Sequence, residues 1–303
     1  MTKPRDIIAQ AWAMTKREHT IRKWGFVAAL LGTLLNTKLF IYQAWLVYSY
    51  FQGDPIGFLT MEKVLFESFP FWFFVVLMIF FGVLLIIEWL FPHLAKGAII
   101  GLAAKSHKKE EVKGGLVLAI YNFFPLFALH ELLMLSSATM TITLCSLALR
   151  YGGGAGPIMV VILATAWLVS NILEFFWIFA EEAVVIRKHG MRDAIRTSFK
   201  LVISYLGHVV FLILLMFIII LRIFANLLMV ILVPAIVLGI GFLLGSFLPP
   251  VISYTVSTII GLLLIVVASY LFSYLEIFRQ TVWTITYIEL SKLKELDVIE
   301  ANK

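Results

Sequence analysis

Six runs of 20 or more mostly apolar residues, separated by short polar stretches, dominate this 303-residue chain. That length is what an α-helix needs to cross the ~30 Å hydrocarbon core of a bilayer, since each residue adds about 1.5 Å of rise. The runs cover residues 24–50, 69–91, 116–149, 157–186, 201–233 and 251–278. The third and fifth exceed the minimum, and tilt, a kink or extension beyond the membrane absorbs the surplus. Hydrophobic residues make up 62% of the chain and charged residues 14%. Soluble domains hold roughly 45–50% and 25% respectively, so a water-soluble fold would expose much apolar surface. The sequence therefore predicts an all-α polytopic transmembrane bundle, a single integral membrane domain over 1–303. Its parts are an amphipathic cytoplasmic segment at 1–23, six spans arranged as three hairpins within 24–278, and a cytoplasmic tail at 279–303.

Lysine and arginine placement orients the bundle, because cytoplasmic loops carry an excess of them. Twenty of the 24 fall in four segments, 1–23, 92–115, 187–200 and 279–303. Six spans put all four on one side, with both termini cytoplasmic. The glycine-rich segment 234–250 leaves a second count open: two short spans within 201–248 would make seven and send the tail outside. The first 23 residues have no apolar signal-peptide core, so the first span is expected to act as an uncleaved signal. The expected location is the cell (plasma) membrane.

The net charge of +6 sits beside the spans, which reads as attraction to a membrane surface and its anionic lipid headgroups. Nucleic-acid binding is not expected, because neither zinc-finger spacing nor a basic-aromatic stripe occurs outside the spans. Protein partners stay open. The lone Cys145 forms no internal disulfide and no CxxC pair, and no cofactor motif or metal site is expected. Two basic stretches read as interfacial helices. Ile8, Trp12 and Thr15 share a face with Ile7, Ala11 and Met14 in the first, and Met191, Ile195, Phe199 and Val202 share one in the second.

Two short motifs carry a family resemblance. One is FAEEAVVIRKHGMRDAIRTSFKLV at 179–202, and the other is FRQTVWTITYIELSKLKELDVIE at 278–300. Their key residues are Glu181, Glu182, Gly190, Ala194, Ser198, Leu201, Thr284, Tyr287, Glu289 and Leu290. The chain resembles a group of uncharacterised prokaryotic six-helix membrane proteins, similar to the membrane domain attached to some glycerophosphodiester phosphodiesterases. It departs in being lysine-rich after Leu290 and in having no soluble phosphodiesterase domain. The resemblance implies a fold and no reaction.

Ionisable residues inside spans are the sharpest functional signal, since a charge at mid-bilayer costs at least ~2.5–3.5 kcal/mol. Lys38, His130, Glu131, Glu174, His208 and Arg222 qualify. At about 1.5 Å per residue, Lys38, Glu131 and Glu174 fall in one layer roughly 18–22 Å from the cytoplasmic ends of their spans. Lys38 is expected to pair with Glu131, Glu174 or both. That layer is either an ion pair fixing helix packing or part of a proton or ion pathway. His130-Glu131 opens like a zinc-protease motif, but Met134 stands where the second histidine should be, and one histidine with one glutamate makes a poor zinc site. Pro125 in the same span can kink it, and a kink near a charge can open a cavity. Glu88, Glu181, Glu182 and Glu276 read as a ring of solvated or locally paired charges at the cytoplasmic face, or as a lipid-headgroup site. Gly152–Gly156 reads as a hairpin turn, and Gly97-x-x-x-Gly101 and Gly241-x-x-x-Gly245 as close helix contacts, within the bundle or between copies. The expected function is non-enzymatic membrane or lipid organisation, or the holding of partner proteins. Transport of a small molecule or ion through the Lys38/Glu131/Glu174 layer is the alternative.

Overall fold

A computed structural model describes residues 3–52, 60–217, 239–240, 243, 245–247 and 249–301. Among these the chain forms helices joined by short turns, with no strand. The helices are α1 (Pro4–Arg17), α2 (His19–Gln52), α3 (Thr60–Ser68), α4 (Phe71–His107), α5 (Gly115–Leu132), α6 (Ala138–Tyr151), α7 (Gly156–Phe176), α8 (Ala180–Arg187), α9 (Met191–Ser204), α10 (Leu206–Phe217) and α11 (Pro250–Ala301). Five stretches are long and apolar enough to cross a membrane: His19–Gln43, Phe71–His107, Gly115–Leu132, Gly153–Phe176 and Thr255–Lys294. The pair α9 and α10, bent by 91°, makes a sixth candidate. Segment 218–238, with Arg222, lies outside the described residues, as does Gly241.

Two kinds of surface divide the molecule. Large apolar side chains stand exposed along α4 (Phe71, Trp72, Val76, Ile79), α7 (Ile158, Val161, Ile162, Ile172) and α11 (Ile259, Leu262, Leu263, Val267). A patch this extensive is not tolerated in water but suits lipid chains. The bundle is therefore a helical membrane protein. The protein's own core lies elsewhere, where α1, α8, α9 and α10 close on the C-terminal part of α11. Ile7, Ala11, Val184, Val202, Leu212, Val282 and Tyr287 meet there. A second cluster joins Ile21, Ala98, Ile99, Leu102 and Ala119 to Ile277.

Four boundaries differ from those read in the sequence. The second apolar run does not end at residue 91, because α4 continues through Pro92 to His107. Proline removes one helical N–H, and the Ala- and Gly-rich turns after it are held by packing. A Cβ on Gly97 would lie 3.3 Å from the Leu118 carbonyl oxygen, and one on Gly101 would lie 2.8 Å from Leu118 Cδ1. This small-residue pair thus serves packing of α4 on α5 within the chain. The third run is not continuous. It breaks at a 3-10 turn, Met134–Ser136, after which Ser137 caps α6 by accepting from Met140 N. The break leaves no stranded carbonyl at Ser136, whose oxygen accepts from Trp167 Nε1 at 3.1 Å and Asn171 Nδ2 at 3.4 Å.

The fourth run ends at Phe176 rather than 186, and α8 follows as a separate helix. Ser198 bridges that gap. Its Oγ donates to the Phe176 carbonyl at 2.8 Å and accepts from Phe179 N at 3.0 Å. Residues 279–301 do not begin a new element, since α11 runs on through them to Ala301. Val282, Ile285, Tyr287, Ile288 and Leu290 are buried there. Between α6 and α7 the glycine cluster makes a tight turn with Gly153 at φ +51.

Both basic amphipathic stretches are helices. In α1 the buried face is Ile7, Ala11, Met14 and Thr15, while Trp12 stays 41% exposed with its ring edge-on to Phe278 at 5.5 Å. In α9 the smaller Ala194, Ser198, Leu201 and Val202 face the protein, leaving Met191 and Phe199 exposed.

Candidate functional site

Four elements bring polar side chains together. One face of α4 carries His93 and Lys96, three residues apart and so on neighbouring turns. The last turn of α5 supplies His130 and Glu131, α8 supplies Glu181 and Glu182, and α11 supplies Glu276, Arg279 and Gln280. Lys96 Nζ donates to Glu181 Oε1 at 2.6 Å, Arg279 Nη2 to Glu276 Oε1 at 2.8 Å, and Gln280 Nε2 to Glu182 Oε1 at 2.8 Å. Lys96 and Glu181 are partly buried together, where either charge alone would carry a desolvation penalty, while Arg279 and Glu276 stay more exposed. Glu182 is fully buried. Burial, and then the neighbouring Glu181, pushes its carboxyl up to about 8, so at neutral pH it is held mostly protonated. Just past the end of α8, Lys188 donates to Asn122 Oδ1 at 3.0 Å and lies over the Tyr121 ring at 4.6 Å. Burial pushes its ammonium down.

Part of this cluster lines a cavity of about 900 Å³ between α2, α4, α5, α6 and α11. The members that do so are His93, Lys96, His130, Glu276, Arg279 and Gln280. Ala28, Ala29, Gly32, Leu39, Ile142, Phe272 and Leu275 form apolar walls, with hydroxyl and amide groups from Thr33, Asn36, Thr37, Gln43, Thr139 and Thr143. His130 on α5 and Thr139 on α6 flank the helix break, so the interruption lies at the cavity wall. Its position is residues 133–137, about two turns beyond Pro125.

The layer read from the sequence is assembled differently. Lys38 donates to Glu88, a fully enclosed carboxylate on α4, rather than to Glu131 or Glu174. Glu131 Oε1 instead accepts from Trp89 Nε1 at 3.2 Å, and Glu174 is exposed on the last turn of α7. His130 meets His93, with ring centroids 4.3 Å apart. His208 lies in α10, its Nε2 enclosed without a hydrogen-bond partner among the described residues. Of the two forms of the charged-ring reading, solvated or locally paired, Glu88 and Glu182 fit only the second: both are buried, Glu88 against Lys38 from α2 and Glu182 against Gln280 from α11. His93, Lys96, Arg279 and Gln280 were not singled out from the sequence as site residues. Two fell in an expected loop and two at the start of an expected tail. A histidine and a lysine three residues apart, just past a proline in an otherwise Ala/Gly-rich helix, were the available signal.

The two motifs carrying the family resemblance touch in the core, where Phe179 packs against Trp283 and Tyr287 at 6.0 and 6.1 Å. Fold and cavity together define a helical membrane protein with an amphipathic cleft between its helices. No family model, no curated protein and no solved structure matches the chain.

Proposed function

We propose that the protein binds a phospholipid-class amphiphile in this cleft and serves the organisation of membrane lipid without catalysing a reaction. The observation that carries the reading is the mixed lining of the cleft, where charged groups (Lys96, Glu276, Arg279) share one cavity with many apolar side chains. Its volume falls within the ~300–1,000 Å³ of small-molecule sites. Lys96 and Arg279 offer donors to a phosphate. Their partners Glu181 and Glu276 balance the charge and suit a zwitterionic headgroup. An acyl chain extends along the apolar walls.

In this reading the bundle has six spans, with both termini cytoplasmic, in the plasma membrane. The packing of α1 against α11 supports a common side for the two ends. The basic segments beside the spans attract anionic lipid headgroups, at roughly 1 kcal/mol per Lys or Arg near the surface. Kinship with the membrane domains attached to some glycerophosphodiester phosphodiesterases is carried forward as a proposal of fold alone.

The test uses Gly32, which lines the cleft and has nothing within 4 Å of a built Cβ. Gly32→Phe fills the cleft without displacing packed atoms. Purified wild-type protein is expected to retain phospholipid, detected by mass spectrometry after mild-detergent extraction, and to crosslink a photoactivatable phosphatidylethanolamine. Gly32→Phe loses both at unchanged thermal stability. Equal retention by the two proteins overturns the reading. Solute flux in liposomes that falls in Gly32→Phe, with no lipid retained by either protein, favours transport instead.

A further inference from the structure

The geometry points to a divalent transition-metal site formed by His93, His130 and Glu131, of the class that takes Zn²⁺. Each residue offers one ligand atom, and the three atoms lie within 4.8 Å of one another. In sequence, His130-Glu131 looked one histidine short of a zinc site. The fold supplies the missing imidazole from α4, 37 positions earlier in the chain.

Local structure explains why these three converge. Successive residues on a helix point about 100° apart, so His130 and Glu131 on an uninterrupted helix would face different neighbours. Here α5 ends just beyond them, Leu133 N closing back on the His130 carbonyl at 2.9 Å. Both side chains lie against the same stretch of α4. Trp89 and His93 are four residues apart on that helix, hence on one face. Trp89 Nε1 donates to Glu131 Oε1 at 3.2 Å, and the His93 ring lies 4.3 Å from the His130 ring at 49°. Neither imidazole makes a hydrogen bond to another described residue. Two adjacent, unengaged imidazoles beside a carboxylate fixed through one oxygen are what a cation would use.

The donor set decides the class of ion. Two imidazoles and a carboxylate suit zinc, and also ferrous or manganous iron-group ions, with a position left open. Ca²⁺ and Mg²⁺ would want more oxygen ligands, and the single thiol, Cys145, lies on α6. Zinc–ligand bonds of about 2.0–2.1 Å put tetrahedral ligand atoms roughly 3.3 Å apart. From within 4.8 Å the ligand atoms have about 1.5 Å or less to close to reach that spacing. The indole donor to Glu131 is the outer-shell hydrogen bond that orients such ligands. Lys96, one turn from His93, is already neutralised by Glu181 at 2.6 Å, which limits its repulsion of a cation. Since His93 and His130 line the cleft, the open position faces a space where an oxyanion could approach.

The inference does not rest on lipid binding and is tested apart from it. The full chain is purified through a histidine-free affinity tag, stripped with a chelator in delipidating detergent, and titrated with Co²⁺ followed by Zn²⁺. Wild type is expected to bind one equivalent of Co²⁺, giving the visible d–d absorption of a low-symmetry, few-coordinate ion, and to release it to one equivalent of Zn²⁺. His93→Gln and His130→Gln abolish the spectrum. Trp89→Phe, which removes only the hydrogen bond to Glu131, weakens binding by about 10-fold or more. His208→Ala changes nothing. Circular dichroism and the metal-free melting curve confirm that the variants are folded. Absence of a saturable wild-type spectrum, or a spectrum unchanged in His93→Gln and His130→Gln, overturns the site. Should either glutamine variant misfold, the Trp89→Phe affinity decides, and an unchanged value overturns it equally. Lipid retention is measured on separate, undelipidated protein, so failure of one reading leaves the other standing.

Discussion

Glu182 shows how far a side chain's behaviour depends on what encloses it. One carboxyl oxygen accepts from Gln280, and the other has no partner among the described residues. Burial is the first cause of the rise in its pKa from 4.5 to about 8. The sign of the linkage follows. The folded state binds this proton more tightly than the unfolded state, so its contribution to stability is fully present below about 4.5. It is lost progressively as pH rises to about 8. Glu182→Gln keeps an oxygen for Gln280 and removes the titration. The variant is therefore expected to lack the loss of stability that this group gives wild type between about pH 5 and 8, the other titrating groups contributing alike to both proteins. The largest difference is on the order of 4 kcal/mol, at about 1.4 kcal/mol per pKa unit. Parallel melting curves for the two proteins across that range would remove the assignment. The sequence placed Glu181 and Glu182 near a membrane face but could not distinguish them. They are adjacent on one helix, and only the orientation of α8 about its axis sends Glu181 to Lys96 and Glu182 into α11.

Helix limits are set by what each end can bond to, and here side chains outside the helix decide. The break between α7 and α8 persists because Ser198, from α9, satisfies both a carbonyl and an N–H across it. Apolar composition continues unbroken through the gap, which is why a single span to residue 186 was the natural reading. The turn between α6 and α7 depends on glycine for a different reason. A Cβ at Gly152 would sit 2.4 Å from the Ala148 carbonyl oxygen, and one at Gly156 2.8 Å from the same atom. Backbone atoms cannot move aside as a side-chain tip can. Gly152→Ala is expected to lower stability by about 1–3 kcal/mol, the usual cost of overpacking, seen as a lower melting temperature in detergent. Gly154→Ala, with nothing within 4 Å, is expected to be neutral. Equal effects of the two would show that the turn tolerates a side chain.

Across the whole bundle, the first two helices, α1 and α2, pack on the C-terminal α11. Besides the Trp12–Phe278 contact, Arg22 Nη1 donates to Tyr274 Oη at 2.9 Å, and a Cβ on Gly25 would meet Ile277. An even number of spans follows from this neighbourhood if both ends lie on one face. Single cysteines at Lys3, Gly154 and Lys292, with Cys145 replaced by alanine, test it against membrane-impermeant thiol reagent. Positions 3 and 292 are expected to label from the same side and position 154 from the other. Labelling of 3 and 292 from opposite sides would require an odd count.

The sequence by itself determined that the chain is a helical membrane protein, where most helices lie, and which segments carry the positive charge. Those properties depend on the length of apolar runs and on local composition, and each is decided within a few tens of residues. Only the tertiary structure decided which ionisable groups meet. Lys38 finds Glu88, Lys96 finds Glu181, Gln280 finds Glu182 and His93 finds His130, across separations of about 40–100 positions. Counting residues along a span estimates depth in the membrane but not the direction a side chain faces around its helix. That rotation is set by packing with neighbours such as the Gly97–Leu118 and Phe179–Tyr287 contacts, so a layer of equal depth became several separate pairs.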